Sequence, residues 1–145
     1  MNTQNATLII FAVCMIAWTT RHVCRRRKQP FQKNVLGSEL KIHSTVPLTG
    51  YLRDGYCSFD ANDTGMHHVA VLVTNDFLEF TLSRGNDLRT PRGRFPGLKH
   101  GDRWCVCTKR FIEAYQHGVA PRVVLESTHE RVLDHVDLNT LRRCT

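Results

Sequence analysis

Cys105 and Cys107 lie one residue apart in the stretch Trp104-Cys105-Val106-Cys107. On a β-strand both thiols face one side, and Trp104 and Val106 face the other. Such a pair suggests thiol chemistry or metal ligation. Cys57 and His43 could complete a metal set with Cys105 and Cys107 if the fold gathers them. Zinc sites, however, usually space their cysteine pairs by two to four residues, so this spacing is off-pattern. A disulfide between such close neighbours would be strained. The competing reading is two small buried apolar side chains. His67 and His68 face opposite ways on a strand, so only one of them could join a given cluster. No cofactor is expected from the sequence.

A second group of candidates surrounds a glycine-rich loop. Asn86 and Asp87 follow a helix stop, and Arg89, Arg92 and Arg94 come soon after. Asx side chains commonly bond backbone amides in loops, but loops also carry binding residues. Arginines at this density could hold an anionic ligand. His129 stands beside a helix-start signal and could act as a general base near the strand ends. More often a histidine in that position orients a loop by hydrogen bonding. Other matches fail on geometry. Asp63-Thr64-Gly65 matches the aspartic-protease triplet, yet it lies in a polar turn without a preceding apolar strand. His129-Glu130 resembles the start of a zincin helix, but Leu133 occupies the position of the second histidine. No phosphate-binding glycine loop or dinucleotide fingerprint is present. Asp102, beside Arg103, reads as a turn residue.

The elements that must position these residues follow from patterning. His67–Thr74 is rich in β-branched residues and predicts a buried strand. Thr74 or Asn75 can cap a helix over Asp76–Arg84, which Gly85 stops. Residues 86–101 hold three glycines and two prolines and form a long loop. Trp104–Thr108 predicts a strand. Thr108 can cap a helix over Lys109–His117, with Gly118 as its stop. Arg122–Glu126 predicts another strand. Ser127-Thr128-His129-Glu130 has a capping-box pattern opening a helix through Val136, and Asp137 caps a last turn through Leu141. The part before residue 67 is expected to be mostly β. Alternation of strands and helices can signal a parallel sheet, but these strands are few and short. The expected fold is a compact two-layer α+β sandwich, preceded by one N-terminal hydrophobic helix.

Charge separates that helix from the domain. The chain of 145 residues carries a formal charge of +7. Residues 1–38 hold six basic residues and no acidic one, whereas residues 39–145 are nearly balanced at +1. A nearly neutral domain without a basic aromatic surface motif argues against a nucleic-acid partner. Residues 6–20 contain no charge and would span roughly 22 Å as a helix, short of a membrane core of about 30 Å. Val23 and Cys24 could extend the run, because a long arginine stem can snorkel. The basic cluster Arg25–Lys28 then places the following part on the cytosolic side. Expected organisation is an anchor or targeting segment at 1–24, with membrane contact through 6–24, a basic linker at 25–33, and a globular domain at 34–145. Mitochondrial or other organelle targeting is the alternative, although an amphipathic pattern is missing. On the cytosolic side the six cysteines would stay reduced.

Read together, several segments resemble a known family. They are NVLG at 34–37, PLTGYLRDG at 47–55, GNDL at 85–88, TPR at 90–92, FPGLK at 95–99, GDRWCVC at 101–107, GVAP at 118–121, VLE at 124–126 and THE at 128–130. In order and wording they are similar to the bacterial domain of unknown function 2237, over about residues 34–142. The resemblance implies a compact α+β domain and no established activity, substrate or cofactor. It also implies cysteines where this chain has His43, Tyr56 and Ala70, and tryptophan in place of Phe111. Histidine at 43 would preserve ligation, since imidazole can replace thiolate. The other two losses argue against an obligatory cysteine cluster. The leader lies outside the resemblance.

Three functions remain in play. A binding module would form a pocket for a small polar or anionic ligand from the 86–101 loop and nearby strand ends, using Asn86, Asp87, Arg92, Trp104 and His129. An enzyme would use His129 as acid or base, or Cys105 and Cys107 as a thiol or metal centre. A membrane-tethered interaction module would use its motifs only to specify loops.

Overall fold

The computed structural model describes residues 31–145. The expected hydrophobic helix, anchor and most of the basic linker lie outside these residues. Among the described residues no helix is long and apolar enough to cross a membrane.

The centre is a three-stranded antiparallel sheet. Its strands are β1 (Val69–Leu72), β2 (Arg103–Val106) and β3 (Arg122–Val123), in the order β2-β1-β3. Register pairs Val69 with Val106, Ala70 with Cys105 and Val71 with both Trp104 and Val123. Residues directly opposite share a face, so valines and Trp104 line one side, and Ala70 and Cys105 line the other. The valine side carries the main core. Helix α1 (Asn75–Ser83) adds Phe77 and Leu78, helix α2 (Thr108–Gln116) adds Phe111 and Ala114, and helix α3 (Leu138–Arg143) adds Leu141. Each of these side chains is at most 1 % exposed; burying one fully contributes about 1.5–3 kcal/mol.

Helix starts follow the sequence closely. Thr74 Oγ1 accepts the Phe77 amide at 3.2 Å to cap α1. Asp137 Oδ1 accepts the Thr140 amide at 3.0 Å to cap α3. Thr108 does not cap α2. It is the first helical residue, and its hydroxyl donates to the Met66 carbonyl at 3.0 Å. The expected strand at 122–126 ends at Val123, because Leu125–Ser127 turns into a 3-10 helix. The expected α-helix after Ser127 is a 3-10 helix over Glu130–Asp134. Its capping box does not form. The Ser127 hydroxyl that should cap it donates instead to the Ile42 carbonyl at 3.4 Å, and the neighbouring Thr128 hydroxyl is engaged by the Ala70 amide at 3.1 Å. His129 Nδ1 caps the turn instead, accepting the Arg131 amide at 3.0 Å.

Residues 31–66 hold no helix and no strand beyond isolated bridges, which corrects the expectation of a mostly β first part. The helices pack on the valine face of the sheet, and this irregular segment packs Cys57 on the Ala70–Cys105 face and adds Val35 to the main core. Side chains hold it there. Buried Asn34 donates to the carbonyls of Glu39 and Glu126, both at 3.0 Å. His43 Nε2 donates to the Val71 carbonyl at 2.9 Å. Thr49 Oγ1 accepts the Cys105 amide at 2.8 Å. A disulfide joins Cys57 to Cys105, with Ala70 packed against it.

Candidate functional site

Pairing of Cys57 with Cys105 corrects the expectation of free cysteines and removes the Cys105/Cys107 pair as a thiol or metal centre. Cys107 stays a thiol, and its Sγ donates to the Gly65 carbonyl at 2.6 Å. Burial pushes that thiol up in pKa, away from the reactive thiolate form. His43 is buried, with one nitrogen bonded to β1 and burial lowering its pKa to about 4. Among the described residues no three His, Cys, Asp or Glu side chains gather to hold a metal ion. The candidate set His43, Cys57, Cys105 and Cys107 is therefore not a ligand set.

His129 is 3 % exposed. Its ring lies 5.4 Å from that of His68 and 6.3 Å from Phe59. Burial lowers the pKa of His129 to about 4, with Arg131 adding to the effect, and its Nδ1 is committed to the turn. The residue orients a loop, which was the competing reading of its position. A base needs a lone pair within reach of a substrate proton, and this ring does not line the cavity described next.

Three of the five ligand-binding candidates, Asp87, Arg92 and Trp104, do line one cavity of about 410 Å³. Asn86 and His129 do not. Pockets of this size suit small molecules. A second cavity, of about 310 Å³ beside Tyr115, Arg122 and Arg143, holds none of the candidates.

Asp87 organises the loop wall. Its Oδ1 accepts the Arg89 and Thr90 amides at 2.9 and 3.1 Å, and its Oδ2 accepts the Arg92 guanidinium at 2.7 Å. Thr90, through side chain and amide, together with the Arg89 amide and then the Arg92 charge, holds this carboxyl down at about 2. Asp87 thus closes an Asx turn, the competing reading of its position, and holds Arg92 at the cavity. Arg89 turns away to Glu79 at 3.1 Å. Asp102 accepts the Lys99 amide at 2.9 Å, as a turn residue should.

The rest of the wall comes from Tyr51 and Arg53, to which no motif pointed, and from His67, a candidate only for a cysteine cluster. Tyr51, Arg53 and His67 all line the cavity. The Arg53 guanidinium lies 4.7 Å from the centre of the Trp104 ring, a cation–π contact. Its Nη1 donates to the Gly50 carbonyl at 3.3 Å. Among the described residues no carboxylate lies within ion-pair distance of Arg53. Gly50 is required where it stands: its φ is +90°, and a Cβ there would sit 2.1 Å from the Tyr56 carbonyl oxygen. The Asp63-x-x-x-His67 spacing was the available signal for His67. Asp63 Oδ1 meets His67 Nδ1 at 2.7 Å, and Asp63 Oδ2 accepts the His67 amide at 2.8 Å.

The arrangement offers guanidinium and imidazole donors from separate segments beside aromatic walls. No curated protein matches the chain. Residues 33–145, the whole described domain apart from its first two residues, match the family described as "Uncharacterized protein conserved in bacteria (DUF2237)", and the chain belongs to that family.

Proposed function

We propose that the domain binds a small organic oxyanion, with its anionic group between Arg53 and Arg92 and its flat or apolar body against Tyr51, Leu88 and Phe95. One observation carries this reading: two arginines from segments nearly forty residues apart in sequence line the same cavity of about 410 Å³, and Arg53 has its charge unpaired among the described residues. Aromatic and aliphatic side chains supply the rest of the wall, as ligand pockets commonly do. The leader supports an additional element of the proposal, a membrane tether through residues 6–24.

Titration of the full-length protein with benzoate and with benzenesulfonate, followed by NMR, tests the binding. The two probes present a carboxylate and a tetrahedral oxyanion on the same ring. Resonances of Arg53, Arg92, Tyr51 and Trp104 should move with at least one probe. Arg53→Gln and Arg92→Gln should each weaken binding by about tenfold, the worth of one charge-assisted hydrogen bond. Absence of binding by both probes, or equal affinity in both variants, overturns the proposal.

A further inference from the structure

The His67 ring is held more firmly than a surface histidine needs to be. Asp63, whose side chain is 1 % exposed, engages both the His67 Nδ1 and its backbone amide. Gly65 lies under the ring: a Cβ at that position would come 2.5 Å from Cε1 and 3.0 Å from Nδ1. On another side the Tyr51 ring is near parallel, 16° away in plane with centroids 6.5 Å apart. A carboxylate acceptor at Nδ1 requires a proton on that nitrogen. The exchangeable position is then Nε2, which has no hydrogen-bond partner among the described residues. The side chain keeps 40 % of its surface exposed and lines the cavity.

Charges around this ring nearly cancel. Arg53 and Arg92 line the cavity, Asp87 pairs with Arg92, and Asp63 pairs with His67. Tyr51 on the irregular segment stacks on the ring, and the adjacent His68 is buried against His129. Two guanidinium groups against two carboxylates leave no net charge while His67 is neutral. One proton on Nε2 makes the wall net positive and adds a third donor, pointed at the same space. An anion entering a neutral site favours the protonated form of a nearby base.

We infer that this cavity binds its oxyanion together with a proton, carried on His67 Nε2. This inference rests on the binding reading above and adds the ligand's ionic requirement to it. Asp63 is a positioning residue: it fixes the tautomer and aims Nε2. Linkage makes the effect reciprocal, so the bound anion raises the proton affinity of His67 by the same factor as the proton raises the affinity for the anion.

Benzoate and benzenesulfonate test this cleanly, because neither changes charge between pH 6 and pH 8.5. Any pH dependence then belongs to the protein. Full-length protein is titrated by NMR across that range, with the imidazole nitrogens of His67 observed directly. Affinity should tighten about tenfold from high to low pH, and the His67 titration midpoint should rise with saturating probe. His67→Gln should bind with the weak affinity of the wild type at high pH, unchanged by pH. Asp63→Asn should loosen the aim of Nε2 and shrink the pH response. Binding that is independent of pH in the wild type, or equally dependent in His67→Gln, overturns this inference and leaves the binding proposal standing. No binding at any pH overturns both.

Discussion

Breaking the Cys57–Cys105 bond gives the most direct test of how the irregular segment is held. The two cysteines are separated by 48 residues, and both are almost fully buried. Closing a loop of that length removes chain entropy from the unfolded state worth about 4 kcal/mol at 25 °C. A domain of this size has only about 5–15 kcal/mol of stability in total. The same bond fastens the segment bearing Tyr51 and Arg53 to the strand bearing Trp104, so its loss should loosen the cavity as well. The assay is urea unfolding of the full-length protein, oxidised and after reduction in the unfolded state, followed by far-ultraviolet circular dichroism. The reduced protein should lose about 4 kcal/mol, and the Cys57→Ala/Cys105→Ala variant should lose at least as much, because two buried side chains shrink. Benzoate binding should weaken in both. A reduced protein within about 1 kcal/mol of the oxidised one would refute the reasoning, since loop closure could not then be a major term.

Acid should destabilise the domain before its carboxylates titrate. Burial holds His43, His68 and His129 near pKa 4 instead of 6.5, so the unfolded chain binds more protons between those values; this stability is complete above about pH 6.5 and is lost as pH falls towards 4. For His43 the loss is on the order of 3 kcal/mol, and unfolding midpoints in urea that stay constant from pH 7.5 to 4.5 would contradict it. Arg53→Gly should separate stability from binding: glycine relieves the left-handed backbone at φ +53°, while about 1 kcal/mol of contact with Trp104 is lost. The unfolding free energy should stay within about 1 kcal/mol of wild type, while benzoate affinity falls about tenfold; equal losses in both would show that Arg53 acts only through the fold.

Local signals in the sequence hold where one side chain decides the outcome. Thr74 and Asp137 cap the helices that they precede, because an oxygen at that position meets a free amide whatever the rest of the fold does. The alternation Trp104-Cys105-Val106 set the two faces of β2 for the same reason. Failures occur where a distant partner claims the signal. Ser127 heads a capping-box pattern, yet its hydroxyl donates to the carbonyl of Ile42, far away in sequence. Cys105 has a near neighbour in Cys107, whereas its partner is the distant Cys57. The cavity was half legible. Asp87, Arg92 and Trp104 come from the loop and strand singled out for chemistry, but Arg53 enters from a turn that carries no periodicity and His67 from the expected strand's first residues, which stay irregular. His129 looked like a base because a helix start and a histidine coincide; the coincidence is its cap.

Two of the sequence motifs are partners of one another in space, and this bears on what each residue does. Within PLTGYLRDG, Thr49 receives the Cys105 amide, Arg53 lies over Trp104, and Cys57 follows closely and bonds to Cys105. A single short arc is therefore attached at three points to two consecutive residues of GDRWC. Thr49, Gly50 and Cys57 are accounted for by that attachment alone: they pair an edge amide, allow a close backbone approach and close a covalent loop. Arg53 is not. A non-glycine residue held at positive φ is strained, and a guanidinium placed beside a cavity without a carboxylate partner gains little for folding. Together with His67, fixed by Asp63 and Gly65, it is the part of the arc that the proposed ligand would use.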